Sequence, residues 1–96
     1  MLIARVIGSA VSTIKADQLR GCKLLVLRPA TPNDELTGES FVAVDGVGAG
    51  EGELVLVATG SAARRSPSTQ DAPVDALIMA ILDSLDVDGA TVFRKS

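Results

Sequence analysis

The sequence has no histidine, tryptophan or tyrosine, only two phenylalanines and a single cysteine, Cys22. Without histidine the chain lacks the commonest general base and the commonest metal ligand, which excludes Cys/His zinc sites and histidine-dependent catalytic triads. One cysteine allows no intrachain disulfide and indicates a reducing compartment, and we interpret Cys22 as a small apolar side chain rather than a nucleophile. We therefore predict no catalytic residue, no metal site, no cofactor and no enzymatic activity.

Long hydrophobic runs are also absent. The longest run, Ala76–Leu82, is too short to span a bilayer. Arg5 interrupts the apolar start of the chain, where a signal peptide would need a continuous hydrophobic segment. We expect a soluble, cytoplasmic protein that does not bind membranes.

The chain has no excess of positive charge. Its formal net charge is −3, whereas nucleic-acid binding needs a basic surface with stacking aromatic side chains. The charge is uneven, because residues 1–33 hold five basic residues and one acidic residue, and residues 34–63 hold six acidic residues and no basic one. This pattern indicates either different faces of one solvated surface or a basic face of one subunit meeting an acidic face of the next.

The hydrophobic residues of the sequence are almost all aliphatic. The 96 residues allow one small domain, and 47% of them are hydrophobic while only 2% are aromatic. A chain of this size buries only about 60–65% of the surface that its unfolded form exposes. The remaining apolar surface predicts association with other chains.

Apolar and β-branched stretches predict several strands. Propensity alone favours a helix at Pro73–Asp83, but its apolar run has no clean period and a turn follows it, so a buried strand also fits. Ser61 would cap a short helix beginning in Gly60–Arg64. The predicted strands are Leu2–Ser12 with a bulge at Gly8, Lys23–Arg28, Ser40–Asp45, Glu53–Ala58 and Ala90–Arg94.

The glycine-rich stretch Gly48–Gly52 is not a nucleotide-binding loop. It has neither the G-x-G-x-x-G spacing nor the lysine of a phosphate loop, and strands are predicted on both sides. A tight turn between strands, or a close backbone approach between subunits, explains it better. Asp45 and Glu53 are interpreted as solvated or salt-bridged carboxylates rather than a catalytic pair.

Several separated stretches, taken in order, resemble one known family. They are Ala4–Gly8 with Thr13–Lys15, Leu19–Leu25, Val42–Asp45, Val47–Glu53, Gly60–Arg64, and Pro73–Asp75 through Asp83. The pattern is similar to that of the EutN/CcmL family, the pentameric vertex proteins of bacterial microcompartments, and it covers roughly residues 1–83.

This resemblance implies a mainly all-β fold: a small five-stranded OB-like β-barrel with a short helix and a C-terminal β-hairpin. It implies one domain over residues 1–96, with a core at 1–83 and a C-terminal strand at 84–96. On this pattern Pro73–Asp83 is a strand rather than a helix, and Asp88-Gly89 is the turn of the terminal hairpin.

The function implied is structural. Homopentamers would cap the vertices of a polyhedral, carboxysome-like shell in the cytoplasm, with hexameric or trimeric shell proteins as partners. The alternative is an OB-like binding module for single-stranded nucleic acid or a small ligand. We expect a set of residues from the two glycine-containing motifs at the subunit interface or pore: Asp45, Gly48, Ala49, Gly50, Gly52, Glu53, Ser61, Ala63 and Arg64.

Overall fold

The computed structural model describes residues 1–11, 23–60, 63 and 75–95. These residues form seven strands: β1 (Leu2–Ala10), β2 (Lys23–Pro29), β3 (Phe41–Asp45), β4 (Leu54–Thr59), β5 (Ala76–Ile81), β6 (Ser84–Val87) and β7 (Ala90–Arg94). Within the described ranges, no helix is long and apolar enough to cross a membrane.

Five strands close into a barrel in the order β1-β2-β3-β5-β4, with β4 returning to β1. Every pairing is antiparallel except that of β3 with β5. The parallel pair arises because the chain crosses the end of the barrel and forms β4 before it returns beside β3. The predicted five-stranded, OB-like barrel is confirmed.

The first strand bends where glycine predicted a bulge. The register of β1 against β2 shifts between Val6 and Gly8, which leaves Ile7 as the extra residue. Ile7 is 40% exposed, whereas Val6 is buried in the core. The bulge therefore allows one long strand to pair with both β2 and β4 around a small barrel.

Small aliphatic side chains fill the barrel. The buried cluster combines alanines such as Ala4 and Ala43 with larger residues such as Leu27 and Ile78, and it contains no fully buried aromatic side chain. A five-stranded barrel has a narrow interior, which alternating small and branched residues fill well. This explains how the chain can fold with so few aromatic residues.

A second apolar cluster lies on the outside of the barrel. Val44 follows the core residue Ala43, and Leu77 precedes the core residue Ile78. Because side chains alternate along a strand, those of Val44 and Leu77 point to the outer face of the sheet. Ala63 is fully buried against them. The predicted short helix stays a prediction, because Ser61 and Arg64 lie outside the described residues.

The segment Pro73–Asp83 contains the strand β5, as the family resemblance implied and against its helix propensity.

The predicted C-terminal hairpin is also present, and Asp88 (φ 52°) and Gly89 (φ 79°) form its two-residue turn. Positive φ at both positions matches the twist of a tight hairpin. One detail was wrong: β7 pairs with a separate strand, β6, so residues 84–95 hold two strands and not one.

Candidate subunit-interface site

The loop of residues 46–52 lies between β3 and β4 and contains four of the nine predicted interface residues, and Asp45 and Glu53 flank it. The side chain of Asp45 holds the first half of this loop in place through hydrogen bonds. Asp45 Oδ1 accepts hydrogen bonds from the backbone N–H groups of Val47 and Gly48, both at 3.0 Å, and of Ala49 at 3.2 Å. A carboxylate that accepts several amide hydrogens holds a loop firmly, since such hydrogen bonds are charge-assisted. Asp45 therefore acts within its own subunit.

The loop folds back onto the end of the barrel. Ala49 is 1% exposed and belongs to the core cluster. A Cβ atom at Gly46 would lie 3.1 Å from the carbonyl oxygen of Ile78 and 3.3 Å from Leu77 Cδ1. A close backbone approach thus occurs at Gly46 within one chain, between the loop and β5. The approach between subunits predicted for Gly48–Gly52 stays a prediction.

Gly52 ends the loop in a conformation that favours glycine. Its φ is +89°, and its N–H donates to the carbonyl oxygen of Val6 at 2.8 Å. The N–H of Val6 in turn donates to the carbonyl oxygen of Glu53 at 2.9 Å. These two bonds fix the end of the loop against β1.

Glu53 joins this loop to the C-terminal end of the described chain. Its Oε1 accepts a hydrogen bond from the N–H of Gly50 at 2.6 Å, and its Oε2 lies 2.6 Å from Lys95 Nζ. The ion pair with Lys95, followed by the Gly50 hydrogen bond, lowers the pKa of the Glu53 carboxyl. The same Glu53 carboxylate raises the pKa of the Lys95 ammonium. One side chain thus holds both the loop and the residue that follows β7.

Replacing Lys95 with glutamine should raise the pKa of Glu53 towards its ordinary value of 4.5, because the largest cause of the lowering is lost while the Gly50 hydrogen bond remains. A carboxyl group whose pKa is lower in the folded chain than in the unfolded chain contributes its full stabilisation at pH values above the unfolded-state pKa. This contribution disappears as the pH falls through the folded-state pKa. The acid limb of the stability profile should therefore be shallower in Lys95→Gln. NMR titration of the side-chain carboxyl carbon of Glu53 measures the shift directly.

Lys95→Arg is the matched control, since it keeps the positive charge and should keep the pKa of Glu53 low. If Glu53 titrates at the same pH in the wild type, Lys95→Gln and Lys95→Arg, the ion pair does not exist in solution.

A second ion pair lies beside this loop. Arg5 pairs with Asp34 through Nη2 and donates from Nη1 to the carbonyl oxygen of Gly52 at 3.3 Å. Arg5 belongs to the basic segment of residues 1–33, and Asp34 and Glu53 belong to the acidic segment of residues 34–63. Part of the charge asymmetry in the sequence is therefore neutralised inside one chain instead of between subunits.

The loop of residues 46–52 and the described residue Ala63 both lie against Leu77. Its Cδ1 atom lies next to Gly46, and its side chain packs with Val44 and the buried Ala63. Of the nine predicted interface residues, six lie together in the loop or at its two ends, and Ala63 is brought close to it through Leu77. The remaining two, Ser61 and Arg64, lie outside the described residues.

Sequence reasoning missed the charged residues that surround the loop. Arg5, Asp34 and Lys95 line a cavity of about 390 Å³ together with Glu53 and the edge of β7. Lys95 lies 42 residues from its partner, and no motif marks it. In the part of the chain that the structure describes, no cluster of three or more acidic or cysteine side chains is placed to hold a metal ion.

Comparison with known proteins identifies relatives over almost the whole chain. A family model described as ethanolamine utilisation protein EutN/carboxysome matches residues 1–83. The carboxysome shell vertex protein CcmL of Thermosynechococcus vestitus is 44% identical over 95 residues, which cover 99% of this chain and 96% of that protein.

Solved structures agree with the sequence relatives. CcmL of Gloeobacter violaceus has a TM-score of 0.92 at 39% identity, covering 99% of this chain and 98% of that one. The pentameric microcompartment shell protein GrpN of Rhodospirillum rubrum has a TM-score of 0.82 at 41% identity, covering 91% of this chain and 99% of that one. With its barrel, its glycine loop and relatives of this similarity, the chain belongs to the EutN/CcmL family.

Proposed function

We propose that this chain is a structural protein of a bacterial microcompartment shell and that five copies form a ring which closes a vertex. The observation that carries the proposal is the match, over nearly the full length, to relatives named as shell vertex proteins, one of them pentameric. The function is geometric, since a fivefold unit introduces curvature into a layer of hexagonal tiles. The shell lies in the cytoplasm, and its hexameric or trimeric proteins are the partners.

This function requires no chemical step, and we propose that the chain is not an enzyme. The carboxylates that could be taken for an acid–base pair have structural partners: Asp45 holds three amide groups, and Glu53 holds Gly50 and Lys95. The alternative of a module that binds nucleic acid or a small ligand is not favoured, because the relatives are shell proteins.

A head-to-tail ring needs two different surfaces on each subunit, and we assign the loop of residues 46–52 and the segment around Ala63 to one of them. Two observations support this assignment. Asp45 and Glu53 hold the loop backbone in place, so less conformational entropy is lost when the loop meets a partner. Val47 is an apolar residue of the loop that is 41% exposed, and it offers an apolar contact for a second subunit.

Native mass spectrometry tests both the assembly of five copies and the assignment of the interface residues. The wild type should form a particle of about 49 kDa, five times the 9.8 kDa chain. Arg64→Glu should shift the distribution towards smaller species, because it reverses a charge within the proposed contact segment.

A wild type that stays monomeric at high concentration contradicts the vertex function. A pentamer that forms equally well with Arg64→Glu contradicts only the assignment of the Arg64 segment to the interface. Glu35→Lys, which reverses a charge at an exposed position in the connection between β2 and β3, away from the assigned surface, is the control.

A further inference from the structure

The C-terminal hairpin, formed by β6 and β7, is attached to the barrel by few contacts. It forms a separate two-stranded sheet that shares no strand pairing with the barrel. None of the residues in its two strands is buried. A two-stranded hairpin is marginally stable in water unless something packs against it. The position of this hairpin on the molecule therefore depends on the contacts at its base.

The base of the hairpin is held through Lys95. Its N–H donates to the carbonyl oxygen of Asp83 at 2.7 Å, and its Nζ lies 2.6 Å from Glu53 Oε2. Among the residues that the structure describes, this ion pair is the only hydrogen bond or ion pair from a side chain of the hairpin segment, residues 84–95, to the barrel. Phe93 lies beside it and lines the same cavity as Leu54 of β4. Loss of the ion pair should therefore let the hairpin leave the barrel more often.

The loop of residues 46–52 uses the other oxygen of the same carboxylate. The N–H of Gly50 donates to Glu53 Oε1 at 2.6 Å, and the N–H of Glu53 donates to the carbonyl oxygen of Gly50 at 3.2 Å. The backbone of Glu53 is also fixed to β1, because its carbonyl oxygen accepts a hydrogen bond from the N–H of Val6 at 2.9 Å. Only the side chain of Glu53 is then free to turn.

The carboxylate of Glu53 has little freedom while both contacts are made. Its side chain is 22% exposed, and a Cβ atom at Gly50 would lie only 3.3 Å from Oε1. Both oxygens belong to one planar group, so a rotation that breaks the contact with Lys95 also moves the oxygen that holds Gly50. The hairpin and the loop therefore depend on one orientation of one side chain.

We propose that Glu53 couples the hairpin to the loop of residues 46–52, so that each is held more firmly when the other is in place. The docked hairpin brings Lys95 to Oε2 and thereby keeps Oε1 on Gly50. The ordered loop in turn keeps the carboxylate directed at Lys95, because a coupling free energy acts equally in both directions.

The consequence for assembly rests on the proposed function, in which the loop lies at the contact between subunits. A loop that is fixed in the ring holds the Glu53 carboxylate in the orientation that Lys95 needs. Ring assembly then steadies the hairpin on each barrel. The coupling thus connects the assembled ring to an element that lies outside the matched residues 1–83.

Hydrogen exchange in the full-length protein tests the coupling from the hairpin side. Lys95→Gln removes the ion pair, and exchange of the Gly50 N–H should accelerate about two- to fivefold, although that N–H bonds to Glu53 and not to Lys95. This factor is what a surface ion pair contributes, and it is the upper limit of the coupling. Arg94→Gln is the matched control, because it removes a positive charge from the neighbouring exposed residue, which forms no ion pair within the described ranges.

Gly50→Ala tests the coupling from the loop side. The added Cβ atom would lie 3.3 Å from Glu53 Oε1, so the carboxylate has to shift. Exchange of the hairpin amides, such as those of Phe93 and Lys95, should then accelerate by a similar factor. Gly8→Ala is the matched control, since its Cβ atom would meet no other atom within 4 Å. Circular dichroism of each variant checks that the barrel is folded.

The proposal is overturned if Lys95→Gln leaves the exchange of Gly50 unchanged, or if Gly50→Ala leaves that of the hairpin unchanged. It is also overturned if Arg94→Gln or Gly8→Ala has the same effect as the variant it controls, because Glu53 is then not the cause. The exchange tests do not require five copies. A wild type that stays monomeric therefore contradicts the proposed function alone, and a pentamer without the coupling contradicts only this inference.

Discussion

Asp45→Ala should lower the free energy of unfolding by about 2–3 kcal/mol, although the side chain lies at a loop and is only half-buried. A single atom, Asp45 Oδ1, accepts hydrogen bonds from three consecutive backbone N–H groups. Alanine leaves all three without this acceptor. Water can solvate those of Val47 and Gly48, which are exposed, but Ala49 is 1% exposed and its amide is poorly placed for solvent.

The loss should spread from the loop into the barrel. Ala49 belongs to the core cluster, so a loop that loosens at Asp45 withdraws a core residue as well. Urea denaturation at a fixed protein concentration measures the free energy, and the concentration must be held constant because assembly stabilises the folded chain. Hydrogen exchange at residues 47–49 should accelerate more than exchange in β2, which identifies the loop as the origin.

Asp45→Asn separates the geometry of this arrangement from its charge. The asparagine side-chain oxygen can accept the same three hydrogen bonds, but they are no longer charge-assisted. We expect a loss of about 1 kcal/mol for Asp45→Asn, at most half of the alanine effect. Equal stability of Asp45→Ala and the wild type would contradict the structural role that we assign to this carboxylate.

The sequence predicts a barrel strand well where one face of that strand is buried and its other face is exposed. In β2 the apolar residues Leu25 and Leu27 alternate with outward-facing positions, and the predicted and observed strands differ by one residue. The turn at Asp88-Gly89 was equally readable, since this dipeptide favours the positive φ values observed.

The strand β5 could not be read from residue patterns. Ile78 belongs to the barrel core and Leu77 to the outer cluster, so the strand is buried on both faces in its first half. A strand covered on both sides has a continuous apolar run with no alternation, and its alanine, leucine and methionine then favour a helix. Only the resemblance to a known family gave the correct answer at this position.

The candidate site was predicted as a stretch of chain but not as a set of interactions. Glycine spacing located the loop, and the carboxylates at its two ends were assigned no catalytic role. Their actual partners depend on the tertiary structure, because Glu53 pairs with Lys95 across 42 residues and Arg5 with Asp34 across 29. A charge count over segments of sequence cannot distinguish such internal pairs from contacts between subunits.

Leu27→Ala should lower the free energy of unfolding by about 3–4 kcal/mol, more than the loss expected for Asp45→Ala. Leu27 is 0% exposed and belongs to the barrel cluster, where it pairs with Val6 on one side and Phe41 on the other. Its removal eliminates apolar contacts and leaves a cavity that the closed barrel cannot collapse to fill, because hydrogen bonds to β1 and β3 fix the backbone.

The control for this substitution is Leu36→Ala. Leu36 lies in the connection between β2 and β3 and is 39% exposed, so the same change in side chain should cost about 1 kcal/mol or less. Urea denaturation of both variants gives the comparison. A difference below about 1 kcal/mol between them would mean that the barrel repacks around smaller side chains, and it would contradict the close packing that we assign to the core around Leu27.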